Sequence, residues 1–238
     1  MKVLVFTGAG LSRESGLKTF RDADGLWGEH RIEDVCTEEA WRTQPQVVLD
    51  FYNARRREVR QAQPNAAHHA IARMEREGLD VIVVTQNIDD LHERAGSSRV
   101  VHLHGEITRM RPDGLNDVVE CPADIHLGDV DERGRQYRPH VVFFGEGVWN
   151  MHVALRAQTE ADVLLIVGST LAVYPAASVA DECPARVVWI VDPLFPDNPR
   201  LLRRWRHGDV EFIPKPATLG VPEAVEAIEN YVEAHRQR

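Results

Sequence analysis

Polar side chains follow directly after apolar runs at three places in the chain. Segment 102–105 (HLHG) follows two valines, segment 85–90 (TQNIDD) follows the run 81–84, and segment 8–12 (GAGLS) follows the run 2–7. In an α/β protein the ends of strands border the ligand crevice. Glycines, amides, a carboxylate and an imidazole at three strand ends therefore predict a nucleotide site that contains a general base.

The two histidines of segment 102–105 need separate interpretations. His102 and His104 would point to the same face of a strand. A histidine at a strand end is more often a satisfied structural residue than a catalyst. Gly105 directly after His104 favours function, because a glycine lets substrate or cofactor backbone approach closely. An imidazole with a pKa near neutrality suits the abstraction of a proton from a ribose hydroxyl.

The residues at the other two strand ends admit two interpretations each. Asn87 and Asp89 could bond a bound nucleotide, or Asn87 could be the N-cap of a helix that runs towards Arg94. The backbone of segment 8–12 could approach a diphosphate at a helix N-terminus. However, Arg13 occupies the third glycine position of the usual dinucleotide pattern, so a structural strand-to-helix turn is the alternative.

Alternating strand and helix patterns define the expected fold class. Continuous apolar runs predict strands at residues 3–6, 81–84, 141–144, 163–167, 187–191 and, more weakly, 210–213. Such continuous runs are typical of central strands covered on both faces. Periodic patterns predict helices over 45–58, 65–77 and 222–234, the last with Pro222 in its first turn. The pattern indicates an α/β fold with a doubly wound, Rossmann-like parallel sheet.

Two segments do not fit this alternation. Residues 22–62 are mostly helical by pattern, whereas residues 107–138 are rich in Gly, Pro and charged residues with little periodicity. We interpret both as insertions that pack together as a small lobe. The chain 1–238 is therefore expected to form one domain with a large and a small lobe.

Composition limits the classes of partner. The 238 residues carry 37 acidic and 28 basic side chains, a formal net charge of -9, which argues against general nucleic-acid binding. No apolar run approaches the roughly 18–20 residues that cross a bilayer, and no secretory signal is visible. Cys36, Cys121 and Cys183 are odd in number and far apart, so no disulfide framework is expected. A cytoplasmic protein without nucleic-acid or membrane partners is the expectation.

Five segments in register resemble the motifs of one family. Segment 8–17 (GAGLSRESGL), followed by Thr19, Phe20 and Arg21, resembles the opening motif of the sirtuins, the NAD-dependent protein lysine deacylases. Segments 85–89 (TQNID), 102–105 (HLHG), 144–146 (FGE) and 168–170 (GST) resemble later sirtuin motifs in the same order. The similarity spans nearly the whole chain, and five motifs together are highly specific. It implies that the chain uses NAD and acts on acylated lysine side chains of other proteins.

The resemblance also implies roles for the matched residues. His104 would be the general base, Asn87 a second catalytic residue, and His102 matches a non-catalytic position. The implied products are nicotinamide, free lysine and O-acyl-ADP-ribose. The implied cofactor-binding residues are Gly8, Ala9, Gly10, Ser12, Thr19, Phe20, Arg21, Trp27, Gln86, Asn87, Ile88, Asp89, Gly168, Ser169, Thr170, Asp192 and Ala217.

Segment 51–56 (FYNARR) resembles the segment that marks the sirtuin subgroup acting on succinyl- and malonyl-lysine as well as on acetyl-lysine. Tyr52 and Arg55 are three residues apart, so one helix face presents both. A guanidinium can grip a carboxylate with two parallel hydrogen bonds, and a phenol can add a third. Without the resemblance, residues 55–57 (RRR) would be interpreted as a solvated charge run; with it, an acyl-carboxylate clamp is favoured.

Val142 and Phe143 are candidate substrate-binding residues. The run 141–144 could offer an edge to which a peptide adds as a short strand. Because strand addition uses only the backbone, core packing is an equally good interpretation of the side chains.

The chain departs from the sirtuin pattern at two places. Most sirtuins carry two close cysteine pairs between the catalytic histidine and the FGE motif, and such pairs form a zinc site. Here that interval contains Cys121 alone, so no zinc is expected. Ile190 stands where many relatives have an asparagine near the adenosine, and Ala217 aligns loosely with a backbone contact to adenine. The polar residues around Cys121 are Asp124, His126, Asp129 and Asp131.

Two other functions remain as alternatives. An NAD glycohydrolase would use water in place of acyl-lysine, but water needs no carboxylate clamp. A catalytically silent NAD or ADP-ribose sensor would have no need to retain both His104 and Asn87.

Overall fold

The computed structural model describes residues 1–19 and 30–236. Six strands of this part form a parallel sheet, and three form a small antiparallel sheet. The strands are β1 Lys2–Thr7, β2 Asp80–Thr85, β3 Val100–His102, β4 Gly105–Pro112, β5 Val119–Glu120, β6 Tyr137–Val141, β7 Val163–Val167, β8 Val187–Val191 and β9 Val210–Ile213. The α-helices are α1 Ile32–Val35, α2 Glu38–Thr43, α3 Pro45–Gln61, α4 Ala66–Arg76, α5 Leu91–Ala95, α6 Met151–Glu160, α7 Ser178–Asp181, α8 Pro199–Arg206 and α9 Ala217–Arg236.

The parallel sheet reverses its winding direction at β1. Its strand order is β3-β2-β1-β7-β8-β9, so that β2 and β7 lie on opposite sides of β1. Thr7 at the end of β1 is in register with Thr85 and with Val167, so three strands end side by side. Open α/β sheets bind ligands at such a switch point, beyond the carboxyl ends of the strands.

Helices cover both faces of the parallel sheet. Val3 and Val5 point into a core that contains α4 and α9, whereas Leu4 and Phe6 point into a second core with α6, α7 and α8. All four side chains are fully buried, which explains why their run is continuously apolar. The predicted doubly wound α/β fold is therefore confirmed.

A small lobe combines the helices α1 to α3 with the antiparallel sheet, whose strand order is β5-β4-β6. Its core unites side chains from 35–59, within the first predicted insertion, with side chains from 107–125, within the second, and with Val141 and Phe143 just beyond it. The lobe boundaries predicted from the sequence stay a proposal.

Two predicted elements are corrected. Residues 141–144 are not a central parallel strand, because β6 ends at Val141 and pairs antiparallel with β4. Beyond Val141, Phe143 packs in the small-lobe core and is 1% exposed, whereas Phe144 is 52% exposed. The closing helix begins at Ala217, so Pro222 lies inside it. Its first turn is held by the Glu14 carboxylate, which accepts hydrogen bonds from the Thr218 amide and hydroxyl.

None of the helices formed by residues 30–236 has the length and apolarity to span a membrane.

Candidate functional site

Two glycine-containing loops touch at the switch point. The Gly10 amide donates to the Gly168 carbonyl at 2.9 Å, and the Gly8 amide donates to the Val167 carbonyl at 3.0 Å. A Cβ on Gly10 would lie 2.7 Å from the Gly168 Cα, closer than side chains are found. The glycines are therefore required for this loop contact. No described group accepts from the backbone N–H of Ala9, Ser169 or Thr170, which leaves donors for an anion.

Ser12 connects the two polar residues that follow β2. Its hydroxyl donates to the Asp89 carboxylate at 2.9 Å and accepts from the Asn87 side-chain amide at 3.1 Å. All three residues are buried, and burial raises the pKa of Asp89, although the Ser12 hydrogen bond opposes this shift. The N-cap interpretation of Asn87 is wrong, because Asp90 occupies the N-cap of α5. Sequence spacing alone could not show that Ser12 is the partner of Asn87.

Gln86 joins the ends of all three neighbouring strands. Its side-chain oxygen accepts from the Ser169 hydroxyl at 2.8 Å, and its backbone amide donates to the Thr7 carbonyl at 2.9 Å. Together with the contacts of Gly10 and Ser12, this places residues predicted from three separate motifs at one edge of the sheet.

The two histidines form hydrogen bonds to the carbonyls of two successive residues in the loop after β2. His104 Nδ1 lies 3.0 Å from the Gln86 carbonyl, and His102 Nδ1 lies 3.1 Å from the Asn87 carbonyl. A carbonyl only accepts, so both Nδ1 atoms carry a proton and donate. In the neutral ring of His104 this leaves Nε2 as a proton acceptor. Burial lowers the pKa of His104, which favours that neutral form.

The strand geometry around His104 differs from the expectation. β3 ends at His102, so His102 and His104 do not share the face of one strand. Gly105 has a φ of 82° and no room for a side chain, since a Cβ would lie 2.1 Å from the His140 carbonyl. Close packing against β6 therefore requires a glycine at position 105, and the predicted close approach of substrate or cofactor stays a prediction.

The predicted clamp residues lie on α3 beside a cysteine. The Tyr52 hydroxyl is 3.1 Å from Cys36 Sγ, and Arg55 donates to Glu58 at 2.6 Å while lying over the Phe51 ring. Burial raises the pKa of Tyr52 well above its ordinary value and that of Cys36 to about 12. Both groups therefore keep their protons at neutral pH. The contact of Cys36 with Tyr52 has no signal in the sequence.

The solvated interpretation of residues 55–57 holds for one arginine at most. Only Arg57 has an exposed side chain, and it pairs with Asp124. Arg56 is fully buried, and Arg55 has a side chain that is 18% exposed. The Nε of Arg55 is buried and has no hydrogen-bond partner among the described residues.

Comparison with known proteins decides the family. The model of the Sir2 family matches residues 8–175, which is most of the chain. The chain belongs to the Sir2 family. It is 46% identical over 192 residues to a protein of Aggregatibacter actinomycetemcomitans named NAD-dependent protein deacylase, covering 80% of this chain and 92% of the relative. A protein of the same name from Helicobacter pylori is 46% identical over 193 residues, with 80% and 84% coverage.

Solved Sir2 structures share the fold. A Sir2 homolog in complex with NAD superimposes with a TM-score of 0.84 at 33% identity, over 97% of this chain and 90% of the other. A Sir2 variant bound to a deacetylated peptide and 3'-O-acetyl ADP-ribose gives a TM-score of 0.78 at 26% identity, over 94% and 92% of the two chains.

In this Sir2 chain, α3 holds the small lobe together through buried polar side chains. The Asn53 amide donates to the Ile125 carbonyl at 2.8 Å and accepts from the Ile125 amide at 3.0 Å. Arg56 donates to the Ile107 carbonyl at 2.7 Å and to Asn53 at 2.6 Å. The FYNARR segment therefore has two faces, one towards the predicted acyl site and one that fastens the sheet to the helix.

The glutamate of the FGE motif lies in a buried ion cluster. Arg138 makes two hydrogen bonds to Glu146, at 2.6 and 3.2 Å, and Arg111 makes one at 3.3 Å. Glu146 also accepts from the Phe143 amide at 2.8 Å, and the Arg138 guanidinium lies 3.8 Å from the centre of the Phe143 ring. These contacts hold the loop after β6 in place.

The polar residues around Cys121 are engaged with protein groups. The Cys121 thiol donates to the Ala123 carbonyl at 3.1 Å, and burial raises its pKa, which opposes the thiolate that zinc requires. Asp131 accepts from the Arg133 and Arg135 amides and from the Arg135 guanidinium. In the part of the chain that is described, no cluster of three His, Cys, Asp or Glu side chains could hold a metal ion.

The predicted peptide edge is corrected in part. The Val142 amide already donates to the His104 carbonyl at 2.9 Å, and the Phe143 amide donates to Glu146. Phe143 is buried in the small-lobe core, so its side chain does not line a substrate groove. The Val142 carbonyl accepts from no described group and remains a candidate acceptor.

The remaining predicted site residues are more dispersed. Ile88 packs against the small-lobe core, and its carbonyl accepts from the Ile107 amide at 2.8 Å. The Asp192 carboxylate accepts from the Leu194 amide at 3.0 Å, and Ala217 begins α9. Ile190 is fully buried in the core, so its side chain does not border a cofactor site. Thr19 is half-buried, whereas Phe20, Arg21 and Trp27 lie outside the described residues.

Proposed function

We propose that this Sir2 chain is an NAD-dependent protein lysine deacylase, with His104 as its general base and with acidic acyl groups among its substrates. The observation that carries the proposal is the hydrogen bond from His104 Nδ1 to the Gln86 carbonyl, which leaves Nε2 free to take a proton at the switch point. The relatives named as NAD-dependent protein deacylases support the same activity.

The residues at the switch point fit NAD. The N–H groups of Ala9, Ser169 and Thr170, which no described group accepts from, suit a diphosphate. The buried cluster of Ser12, Asn87 and Asp89 suits ribose hydroxyls or a carboxamide. When bound, NAD supplies a glycosidic bond to a good leaving group and the ribose that receives the acyl group.

The chain contributes orientation, desolvation and one base. Half-buried His104 has a lowered pKa that favours the neutral ring, so Nε2 can accept a proton from a ribose hydroxyl. Asn87 is held by Ser12, which fixes the direction of its remaining amide hydrogen. We expect the products to be nicotinamide, free lysine and O-acyl-ADP-ribose. The NAD-binding set is completed by Gly8, Gly10, Thr19, Phe20, Arg21, Trp27, Gln86, Ile88, Gly168, Asp192 and Ala217.

Tyr52 and Arg55 form the proposed acyl-carboxylate clamp. The buried Nε–H of Arg55 has no described partner, which leaves an unsatisfied donor that a carboxylate would satisfy. The Tyr52 hydroxyl would donate to the second carboxylate oxygen and leave Cys36, its present partner. Succinyl- and malonyl-lysine carry such a carboxylate, whereas acetyl-lysine does not.

One assay separates the deacylase from its two alternatives. The enzyme is incubated with NAD and with acetylated, succinylated or unmodified peptide, and nicotinamide release and peptide mass are followed. A deacylase releases nicotinamide only when acyl-peptide is present, and it lowers the peptide mass by the mass of one acyl group. Nicotinamide release without acyl-peptide would support a glycohydrolase, and no release would support a sensor.

We also infer that the chain works without zinc. The thiol of Cys121 is protonated and paired, and nearby carboxylates bind protein donors. Metal analysis of the purified protein should find no bound zinc, and a chelator should leave the melting temperature unchanged. One equivalent of zinc would contradict this inference. The cytoplasmic location and the exclusion of nucleic acid and membrane as partners stay predictions, and cell fractionation tests the first.

A further inference from the structure

His102 makes two hydrogen bonds that only a doubly protonated ring can make together. Its Nδ1 lies 3.1 Å from the Asn87 carbonyl, and its Nε2 lies 2.8 Å from a Glu93 carboxylate oxygen. Both partners accept and neither donates, so each ring nitrogen must carry a proton. The His102 side chain is 7% exposed, so the ring itself is largely shielded from solvent.

The groups around His102 favour the charged ring on balance. Burial, the largest influence, disfavours the charge, but the hydrogen bond and charge of Glu93 outweigh it, with help from Glu106 and the Asn87 carbonyl, and the pKa of His102 is raised. The same charge lowers the pKa of the neighbouring rings and favours the ionised Asp89 carboxylate. The titratable groups that face His102 are Glu93 and His92 on α5, Asp89 before it, Glu106 on β4 and His140 on β6.

Asn87 is held by hydrogen bonds at its backbone amide, its side chain and its carbonyl, and His102 supplies the bond to the carbonyl. The Asn87 amide donates to the Thr85 hydroxyl at 3.0 Å, and its side chain donates to Ser12 at 3.1 Å. The hydrogen bond from His102 Nδ1 holds the Asn87 carbonyl and is the third of these contacts. Without it, the Asn87 peptide could rotate about its neighbours and carry the side-chain amide away from Ser12.

We propose that His102, as an imidazolium paired with Glu93, is a positioning residue that fixes the Asn87 peptide, and that loss of its proton releases the Asn87 carbonyl. This inference rests on the role proposed above for Asn87. A neutral ring can donate to only one of its two acceptors. The charge-assisted bond to Glu93 is the stronger, so the bond to Asn87 is the one that is lost.

The sign of the pH dependence follows from the raised pKa. The two-bond arrangement is complete below the pKa of His102 and is lost as the pH rises through it. Glu93→Gln removes this dependence, because a neutral ring can then accept from the amide at Nε2 and still donate from Nδ1 to Asn87. His102→Asn keeps a donor at the position of Nδ1, whereas His102→Leu keeps none.

The first test uses the cofactor-free enzyme. Histidine rings labelled with carbon-13 are titrated by NMR, and the His102 signal is assigned by its absence from His102→Asn. We expect this ring to titrate above the ordinary value of 6.5 in the wild type and at lower pH in Glu93→Gln, with exposed Glu132→Gln as the charge control. A wild-type ring that titrates at or below the ordinary value would overturn the proposal.

The second test measures kcat/KM for NAD between acid and alkaline pH. The wild type and Glu132→Gln should share an alkaline limb that Glu93→Gln lacks. His102→Leu should lose on the order of 10²-fold, mostly in kcat, and His102→Asn should recover about tenfold or more of that loss. Identical alkaline limbs in wild type and Glu93→Gln would overturn the inference. A wild-type enzyme without deacylase activity would instead refute the proposed function. The NMR titration would still test whether His102 is an imidazolium paired with Glu93.

Discussion

His104 donates from Nδ1 to the Gln86 carbonyl at 3.0 Å, and this one contact decides which ring nitrogen can act as a base. The carbonyl belongs to the loop that also carries Asn87 and Asp89, so the base and the residues proposed to hold the ribose are positioned by the same segment. Movement of that segment would displace all of them together.

The acid limb of the pH profile should lie below pH 6.5. Burial lowers the pKa of His104 from its ordinary value of 6.5, and the base works in its neutral form, so activity persists as the pH falls until that lowered pKa is reached. Single-turnover rates with saturating NAD and acyl-peptide measure the limb. His104→Ala, expected to be about 10²- to 10⁴-fold slower, should lack it. A limb at or above the ordinary histidine pKa would contradict the assignment.

Arg55→Met should separate the acyl groups. Loss of the charged donor should lower kcat/KM for a succinyl-peptide about 10- to 100-fold, because a hydrogen bond to a charged group contributes about 1.5–3 kcal/mol. Deacetylation should change by no more than about threefold. Arg57→Met, on the same helix with an exposed side chain, is the matched control. Equal losses with both peptides in Arg55→Met would show that the residue does not bind the acyl carboxylate.

Gly10→Ala should destabilise the protein by about 1–3 kcal/mol, the range for overpacking a tight contact. The new methyl would lie 2.7 Å from the Gly168 Cα, and both loops would have to separate. Gly147→Ala is the control, since a Cβ there meets no atom within 4 Å. Urea unfolding measures both variants, and equal stabilities would refute the packing role of Gly10.

Asn53→Ala should loosen the small lobe. It leaves both backbone groups of buried Ile125 without partners, which costs about 2–4 kcal/mol of unfolding free energy. Gln46→Ala removes an exposed amide from the same helix and should change stability by about 0.5 kcal/mol or less. Chemical denaturation is the measurement. Equal free energies of unfolding for the two variants would show that Asn53 does not fasten α3 to the rest of the small lobe.

The sequence predicts the centre of the fold well, because the relevant signals are local. The apolar runs of β1, β2 and β7 are buried on both faces, and the polar residues just after them lie at one sheet edge by topology alone. The same reasoning fails at residues 141–144, where Val141 and Phe143 are buried against the distant helices of the small lobe.

Contacts between distant segments carry no local signal. Asn53 and Ile125 are 72 residues apart, and Arg56 and Ile107 are 51 apart, so neither a helical pattern nor a charge run shows that these polar side chains are buried. The contact between Cys36 and Tyr52 likewise joins two elements whose approach depends on the assembled lobe. For the same reason the sequence does not show which polar contacts hold this lobe together.

A crystal structure of the enzyme with NAD tests the central claim most directly. The account predicts that His104 Nε2 lies within hydrogen-bond distance of a ribose hydroxyl, while Nδ1 keeps its bond to the Gln86 carbonyl. A bound dinucleotide whose ribose is out of reach of Nε2, with the His104 ring turned towards protein, would contradict it.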